Sequence, residues 1–212
     1  MVYKAVIFDL DGTLVHTTQE YRSRTCGQTL ATLGVKAKIE QIDKFWFGTD
    51  RDRIITETFG LNPKVFWRIF REYDNIESRK KFTKPYDDID FIRELRAKGI
   101  KTGIVTGAPP NIATMEIELL GKQDFDAIVI AHTSNGKQPK PHPQGLVECL
   151  NLLDVNNNGA IYVGNGEEDI VTARNAGVLD ILIDRGEFPF NDLNASLKIN
   201  SLYDLRKVLS SV

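Results

Sequence analysis

The sequence predicts an α/β fold: a doubly wound parallel sheet with a helical insertion after its first strand. Three observations carry that expectation. Along residues 84–212, short apolar runs alternate with stretches of helical periodicity, the pattern of βα units stacked into a parallel sheet. The first run, Ala5-Val6-Ile7-Phe8, is apolar without interruption, which suits a strand buried on both faces. Residues 15–83 then read as successive helices, far more than the roughly 30 residues of a whole βαβ unit. The expected division is therefore a core of residues 1–14 and 84–212 with a helical cap of residues 15–83.

Composition narrows the function classes. The chain has 212 residues, 42% apolar and 26% charged, enough to bury a core. A formal net charge of −2 and a pI near 6.0 give no electrostatic footprint for nucleic acid or an anionic membrane, so neither is expected as a partner. No apolar run approaches the roughly 18 residues of a membrane span. The first strand begins almost at Met1, leaving no room for a signal peptide. Cys26 and Cys149 lack metal-ligand spacing, so two free thiols in a cytoplasmic protein are expected.

Local signals place the elements. Thr17 with Glu20 three residues later reads as a helix start, and that helix carries Tyr21, Leu30 and Leu33 to Gly34. Residues 39–47 and 50–59 also read as helices. Asn62-Pro63 opens another, with Val65, Phe66, Ile69, Phe70 and Tyr73 as its apolar face. Phe45, Trp46, Phe47 and Trp67 are expected in the insertion's core, with a dimer surface as the alternative, so the chain is read as monomer or homodimer. In the core, residues 87–98, 112–120 and 200–209 read as helices. Residues 100–106, 126–130, 159–164 and 179–183 read as strands.

Four places carry chemistry. Asp9 and Asp11 follow the first strand and project the same way, about 6–7 Å apart along the backbone. Such a pair suits a hard cation, or a nucleophile with an acid/base partner. Gly12 lets the chain turn steeply and Thr13 adds a hydroxyl. Thr106-Gly107 ends a buried strand, where a hydroxyl and a backbone N–H can hold an anion. Lys140 stands in Lys-Pro-His-Pro just before a helix, and is favoured over Lys137. Asn165 and Asp169 follow the strand ending at Gly164; Asn165 also suits a helix cap. Arg51, in the polar stretch 48–53, is a candidate for a second anionic group of a substrate, against the plainer reading of a solvated helix-start charge. His16 and His142 read as a hinge residue and a helix-start residue.

With Asp9-Leu10-Asp11-Gly12-Thr13, Thr106, Lys140 and Asp169 in that order, the chain resembles the haloacid dehalogenase-like (HAD) hydrolases over nearly its whole length. The resemblance implies a Rossmannoid core with strand order 3-2-1-4-5 and a small helical cap at this insertion point. It implies Asp9 as a nucleophile that becomes an aspartyl-phosphate, and Asp11 as the acid and then the base. Thr106, Gly107, Gly12 and Thr13 would hold the phosphoryl group and Lys140 would neutralise it. Mg²⁺ is the implied cofactor, with Asp9, Asp11, Asn165 and Asp169 as its ligands. Two positions depart from the family pattern: Gly107 stands where Asn is frequent, and Asn165 where the first acid of the fourth motif usually stands. One negative charge fewer implies weaker Mg²⁺ binding.

The function implied is a Mg²⁺-dependent phosphatase of a small phosphorylated metabolite, a phosphomonoester of the phosphoglycolate or sugar-phosphate kind. Asp11 argues against a haloacid dehalogenase, and Tyr21 stands where a sugar phosphomutase carries a hinge His. A phosphonatase needs a cap Lys in a context not found here. A weakened phosphate-binding sensor, supported by Asn165 alone, and a phosphoacceptor domain complete the alternatives.

Overall fold

The computed structural model describes residues 3–189 and 193–210; the outer ends of the expected core and residues 190–192 lie outside the described residues. Two compact units emerge, one running to His16 and resuming at Lys84, the other Thr17–Thr83.

In the first unit, β1 (Ala5–Phe8), β4 (Lys101–Thr106), β5 (Ala127–Ile130), β6 (Ala160–Gly164), β7 (Leu179–Ile183) and β8 (Leu197–Ile199) form one sheet in the order β5-β4-β1-β6-β7-β8. Every pairing is parallel. This is the expected order 3-2-1-4-5 with a sixth strand added at the edge. Two further short strands, β2 (Val15–Thr17) and β3 (Thr83–Pro85), pair where the chain leaves the sheet unit and returns to it.

The central strand shows why an unbroken apolar run was needed. Ala5 pairs with Lys101 on one side and Ala160 on the other, and all four residues of β1 are fully buried. Alternation sends Val6 and Phe8 to one face and Ala5 and Ile7 to the other. The first face packs on α6 (Phe91–Ala97), α7 (Pro110–Leu120) and α10 (Leu205–Ser210) through Ile92, Leu95, Ile117 and Leu205. The second packs on α8 (Gln144–Leu153) and α9 (Glu167–Asn175) through Leu146, Leu150 and Ala173. Helices on both faces of a parallel sheet make the doubly wound fold.

The second unit holds α1 (Gln19–Thr32), α2 (Ile39–Phe47), α3 (Arg51–Phe59), α4 (Pro63–Tyr73) and α5 (Ile76–Phe82). The cap of α1 is Thr18, one residue beyond the expected Thr17; its hydroxyl accepts from Tyr21 N while Thr17 extends β2. Asn62 caps α4 with Pro63 at its first position, as expected. Val65, expected on the apolar face, is exposed. Phe45 is the hub of the unit's core, with Phe66 at 5.0 Å, Trp67 at 5.6 Å and Phe70 at 5.9 Å between ring centroids. The insertion's large aromatics therefore spend their surface inside their own unit. Asp74, in this unit, accepts from Tyr21 Oη and from Arg79 Nε, each at 2.7 Å.

Both tryptophans of the chain, Trp46 and Trp67, lie in this unit, so their fluorescence reports on it alone. Phe45→Ala removes the hub ring and is expected to cost about 3–5 kcal/mol. The check is urea unfolding followed by tryptophan emission, where a midpoint unmoved from wild type would contradict the packing described.

Candidate active site

The parallel sheet decides where the polar residues gather. β1, β4 and β6 are adjacent and parallel, and the order of strand addition switches from one side of β1 to the other, so their carboxyl ends form the crevice where open α/β sheets bind ligands. Asp9 leaves the end of β1, its N–H bonded to Val163 O at 2.8 Å. The next residues form a tight turn in which Gly12 N donates to Val15 O at 2.7 Å and Leu14 N to Leu10 O at 2.9 Å. Gly12 has φ +84°, and a Cβ there would fall 2.1 Å from Asn165 Nδ2, so both the backbone and the space demand glycine. Thr106 ends β4, Lys140 sits in the loop before α8, and Asn165 follows β6 directly.

The centre is one ammonium between two carboxylates. Lys140 Nζ lies 2.6 Å from Asp9 Oδ1 and 2.6 Å from Asp169 Oδ1, with all three side chains buried. Asp169 also accepts from Tyr162 Oη at 3.1 Å and from Gly166 N at 3.1 Å. Asp9 Oδ2 accepts from Thr13 Oγ1 at 3.2 Å, and Asn165 Oδ1 stands 3.5 Å from the same hydroxyl. Two buried carboxylates sharing one cation leave a net negative charge in low dielectric. Burial pushes the Asp9 carboxyl up to about 7, with Lys140 opposing and Asp169 adding to the rise. Burial disfavours the ammonium of Lys140, but Asp169 and Asp9 outweigh it and hold its pKa well above the ordinary value.

The structure thus joins Asp9, Thr13, Lys140, Asn165 and Asp169 by side-chain contact. Gly12 lies against Asn165, and Gly107 against the Lys140 stem, whose Cε is 3.7 Å from where a Cβ would stand. Asp11 is half-buried on the turn, bridged to Val15. Thr106 is buried, its Oγ1 accepting from Ala108 N at 3.1 Å, which leaves the hydroxyl proton to donate elsewhere. Arg51 belongs to the helical unit and donates to Trp46 O at 2.9 Å and Gly48 O at 3.3 Å, tying down the end of α2. Lys137 is held by Glu148 at 2.5 Å, and His142 Nδ1 accepts from Gln144 N at 3.2 Å at the start of α8.

Asn165 does not cap α9. The cap position is Gly166, whose N–H is taken by Asp169. Asp169, expected among metal ligands, accepts from Lys140, Tyr162 and that N–H. Among the described residues no three Asp, Glu, His or Cys side chains form a metal-holding group. A Mg²⁺-type cation nevertheless needs only one or two carboxylates and completes its octahedron with water and phosphate oxygens. Asp9 Oδ2 and Asn165 Oδ1, both beside the Thr13 hydroxyl, are hard oxygen donors that fit this pattern.

Sequence reasoning missed Tyr162 and Arg185. Tyr162 lies in an otherwise aliphatic strand, and a buried phenol needs a partner, here Asp169 and Val105 O at 3.2 Å. Arg185, just beyond β7, donates to Thr13 O at 2.6 Å.

The sheet and its strand-end cluster define a doubly wound α/β protein with a charged site at the switch point. The chain belongs to the haloacid dehalogenase-like hydrolases, whose family profile matches residues 6–183. It is 26% identical over 216 residues to the Pyrophosphatase PpaX of Bacillus cereus, covering 100% of this chain and 99% of that one. It is 25% identical over 214 residues to the Phosphoglycolate phosphatase of Aquifex aeolicus, covering 98% and 97%. The crystal structure of a predicted phosphatase from Clostridium acetobutylicum superposes with a TM-score of 0.83 at 22% identity, covering 100% of both chains.

The raised Asp9 pKa has a signed consequence for stability in metal-free buffer. The folded state binds the Asp9 proton more tightly than the unfolded state, so the contribution of Asp9 to wild-type stability falls as pH rises from about 4 to about 7. Asp9→Asn removes this loss. It is expected to match wild type near pH 4 and exceed it by a few kcal/mol at pH 8, at about 1.4 kcal/mol for each pH unit by which the pKa is raised. Urea unfolding in EDTA at both pH values checks this; a constant difference would refute it.

Proposed function

We propose that the chain is a Mg²⁺-dependent phosphatase of small phosphomonoesters, of the phosphoglycolate or sugar-phosphate kind, working through an aspartyl-phosphate on Asp9. The observation that carries this reading is the buried Asp9 carboxylate oriented by Lys140 at one oxygen and Thr13 at the other. Family membership and the names of the two relatives support it.

Asp9 attacks phosphorus in line while Asp11 protonates the leaving oxygen. Thr106 and Gly107 donate to the phosphoryl oxygens and Lys140 neutralises their charge, a preorganised electrostatic role, while the N–H groups of Gly12 and Thr13 are held within the turn. Asp11, now ionised, takes a proton from water, which attacks the aspartyl-phosphate and regenerates Asp9. Mg²⁺ would be held by Asp9, Asp11 and Asn165, and when bound supplies Lewis-acid charge compensation to the phosphoryl group. Asp169 is assigned to Lys140 rather than to metal.

Residues 1–14 and 84–212 are assigned as catalytic core and residues 15–83 as cap. Arg51 is not retained as a substrate ligand, because its guanidinium holds the end of α2. Tyr21 is fully buried with its phenol on Asp74, which argues against proton transfer at that position. Cys26 and Cys149 are both free and buried, in keeping with a cytoplasmic protein, and no helix among the described residues is long and apolar enough to cross a membrane. Pyrophosphate is a second candidate substrate, favoured by the relative named for it.

The test is phosphate release from p-nitrophenyl phosphate, phosphoglycolate, sugar phosphates and pyrophosphate across a Mg²⁺ titration. Wild type is expected to turn over in a Mg²⁺-dependent manner, and Asp9→Asn to lose more than about 10³-fold in kcat. Asn165→Asp restores a negative charge and is expected to lower the half-saturating Mg²⁺ concentration. Wild-type-like activity in Asp9→Asn would refute the mechanism, and turnover only in Asn165→Asp would mark a binding protein instead.

A further inference from the structure

Arg185 is a buried arginine outside the cluster described above. It stands two residues beyond β7 with its side chain 8% exposed. Nη1 and Nη2 grip both oxygens of Asp88 at 2.7 and 3.1 Å. Asp88 is fixed in turn by Ser201 Oγ and Leu202 N, each at 2.8 Å. The guanidinium carbon lies 4.0 Å over the Tyr86 ring, and Tyr86 N donates to Leu14 O at 3.0 Å. The second N–H of Nη2 reaches into the acidic turn and meets Thr13 O at 2.6 Å.

Stability alone is a poor account of this residue. A buried ion pair gains little over apolar packing of the same volume. Arg185 Nε is moreover buried without a hydrogen-bond partner among the described residues, a further cost. What the arrangement does supply is position. Thr13 is held by its carbonyl from Arg185, and its hydroxyl sets Asp9 Oδ2. Lys140 sets only the other oxygen. The orientation of the Asp9 carboxylate therefore depends on a chain of two contacts anchored outside the turn.

We infer that Arg185 is a positioning residue for Asp9: it clamps Thr13 O, and through the Thr13 hydroxyl it aims the carboxylate. This rests on the reading of Asp9 as nucleophile. Arg185 touches neither substrate nor reacting atoms, so its loss changes the rate and not the binding of substrate. A lysine keeps the charge but lacks the planar fork that serves Asp88 and Thr13 together.

The experiment uses the full chain as wild type, Arg185→Ala and Arg185→Lys, with p-nitrophenyl phosphate at saturating Mg²⁺. The kcat per folded molecule is expected to fall about 10²-fold in Arg185→Ala, as for a small misplacement of a reacting group, with KM changed less than about twofold. Millimolar guanidinium is expected to restore part of that kcat, and Arg185→Lys to lie between the two. Hydrogen exchange gives a readout independent of turnover: amides of residues 10–15 exchange faster in both variants while those of β1 and β6 keep their protection. Unchanged kcat per folded molecule, or unchanged exchange at residues 10–15, overturns the inference. If Arg185→Ala does not fold, Arg185→Lys carries the same readouts. Absence of turnover in wild type would sink the phosphatase reading, and exchange at residues 10–15 alone would then decide the clamp.

Discussion

One ammonium between two buried carboxylates is the constraint on which the site depends. Lys140 comes from a loop, Asp9 from the end of β1 and Asp169 from the first turn of α9. Bringing these three out of water is expensive unless each is paired. The fold meets the cost with the Tyr162 phenol, the Gly166 N–H and the Thr13 hydroxyl. It still sets two carboxylates against one ammonium, and burial, with Asp169 adding to it, raises the Asp9 pKa.

The core was legible because its strands are apolar on both faces and its turns carry glycine and acid in a fixed order. β7 falls at the expected residues 179–183, and the order of five strands is the one that the family resemblance implied. What was not legible depends on tertiary contact. β8 is three residues at the sheet edge, only Ile199 of them buried, too short for periodicity to reveal. α5 buries Arg79 rather than an apolar stripe, because Asp74 waits for it. The helix expected from residue 87 begins only at Phe91, since Asp88 is drawn to Arg185, Ser201 and Leu202 N.

The same division holds at the site. Asp9, Thr13, Lys140 and Asp169 announce themselves by residue type next to a strand end or a helix start. Arg185 and Tyr162 do not: one is a single charge after a strand and the other a tyrosine inside one. Asp169 was visible as an acid, but its partners decide its use. Its bonds with Lys140, Tyr162 and Gly166 N could not be read from spacing.

The insertion between β1 and β4 also sets an order of events during synthesis. β1 is the centre of the sheet, yet its partners begin at Lys101 and Ala160, and the whole helical unit, Thr17–Thr83, leaves the ribosome before either. That unit is contiguous and rich in local contacts, the kind of segment that folds fast. The nascent chain therefore carries a finished helical unit while Ala5-Val6-Ile7-Phe8 waits unpaired. The segment most in need of shielding is the one that ends in Asp9, and the last strand to enclose that residue, β6, arrives some 150 residues after it.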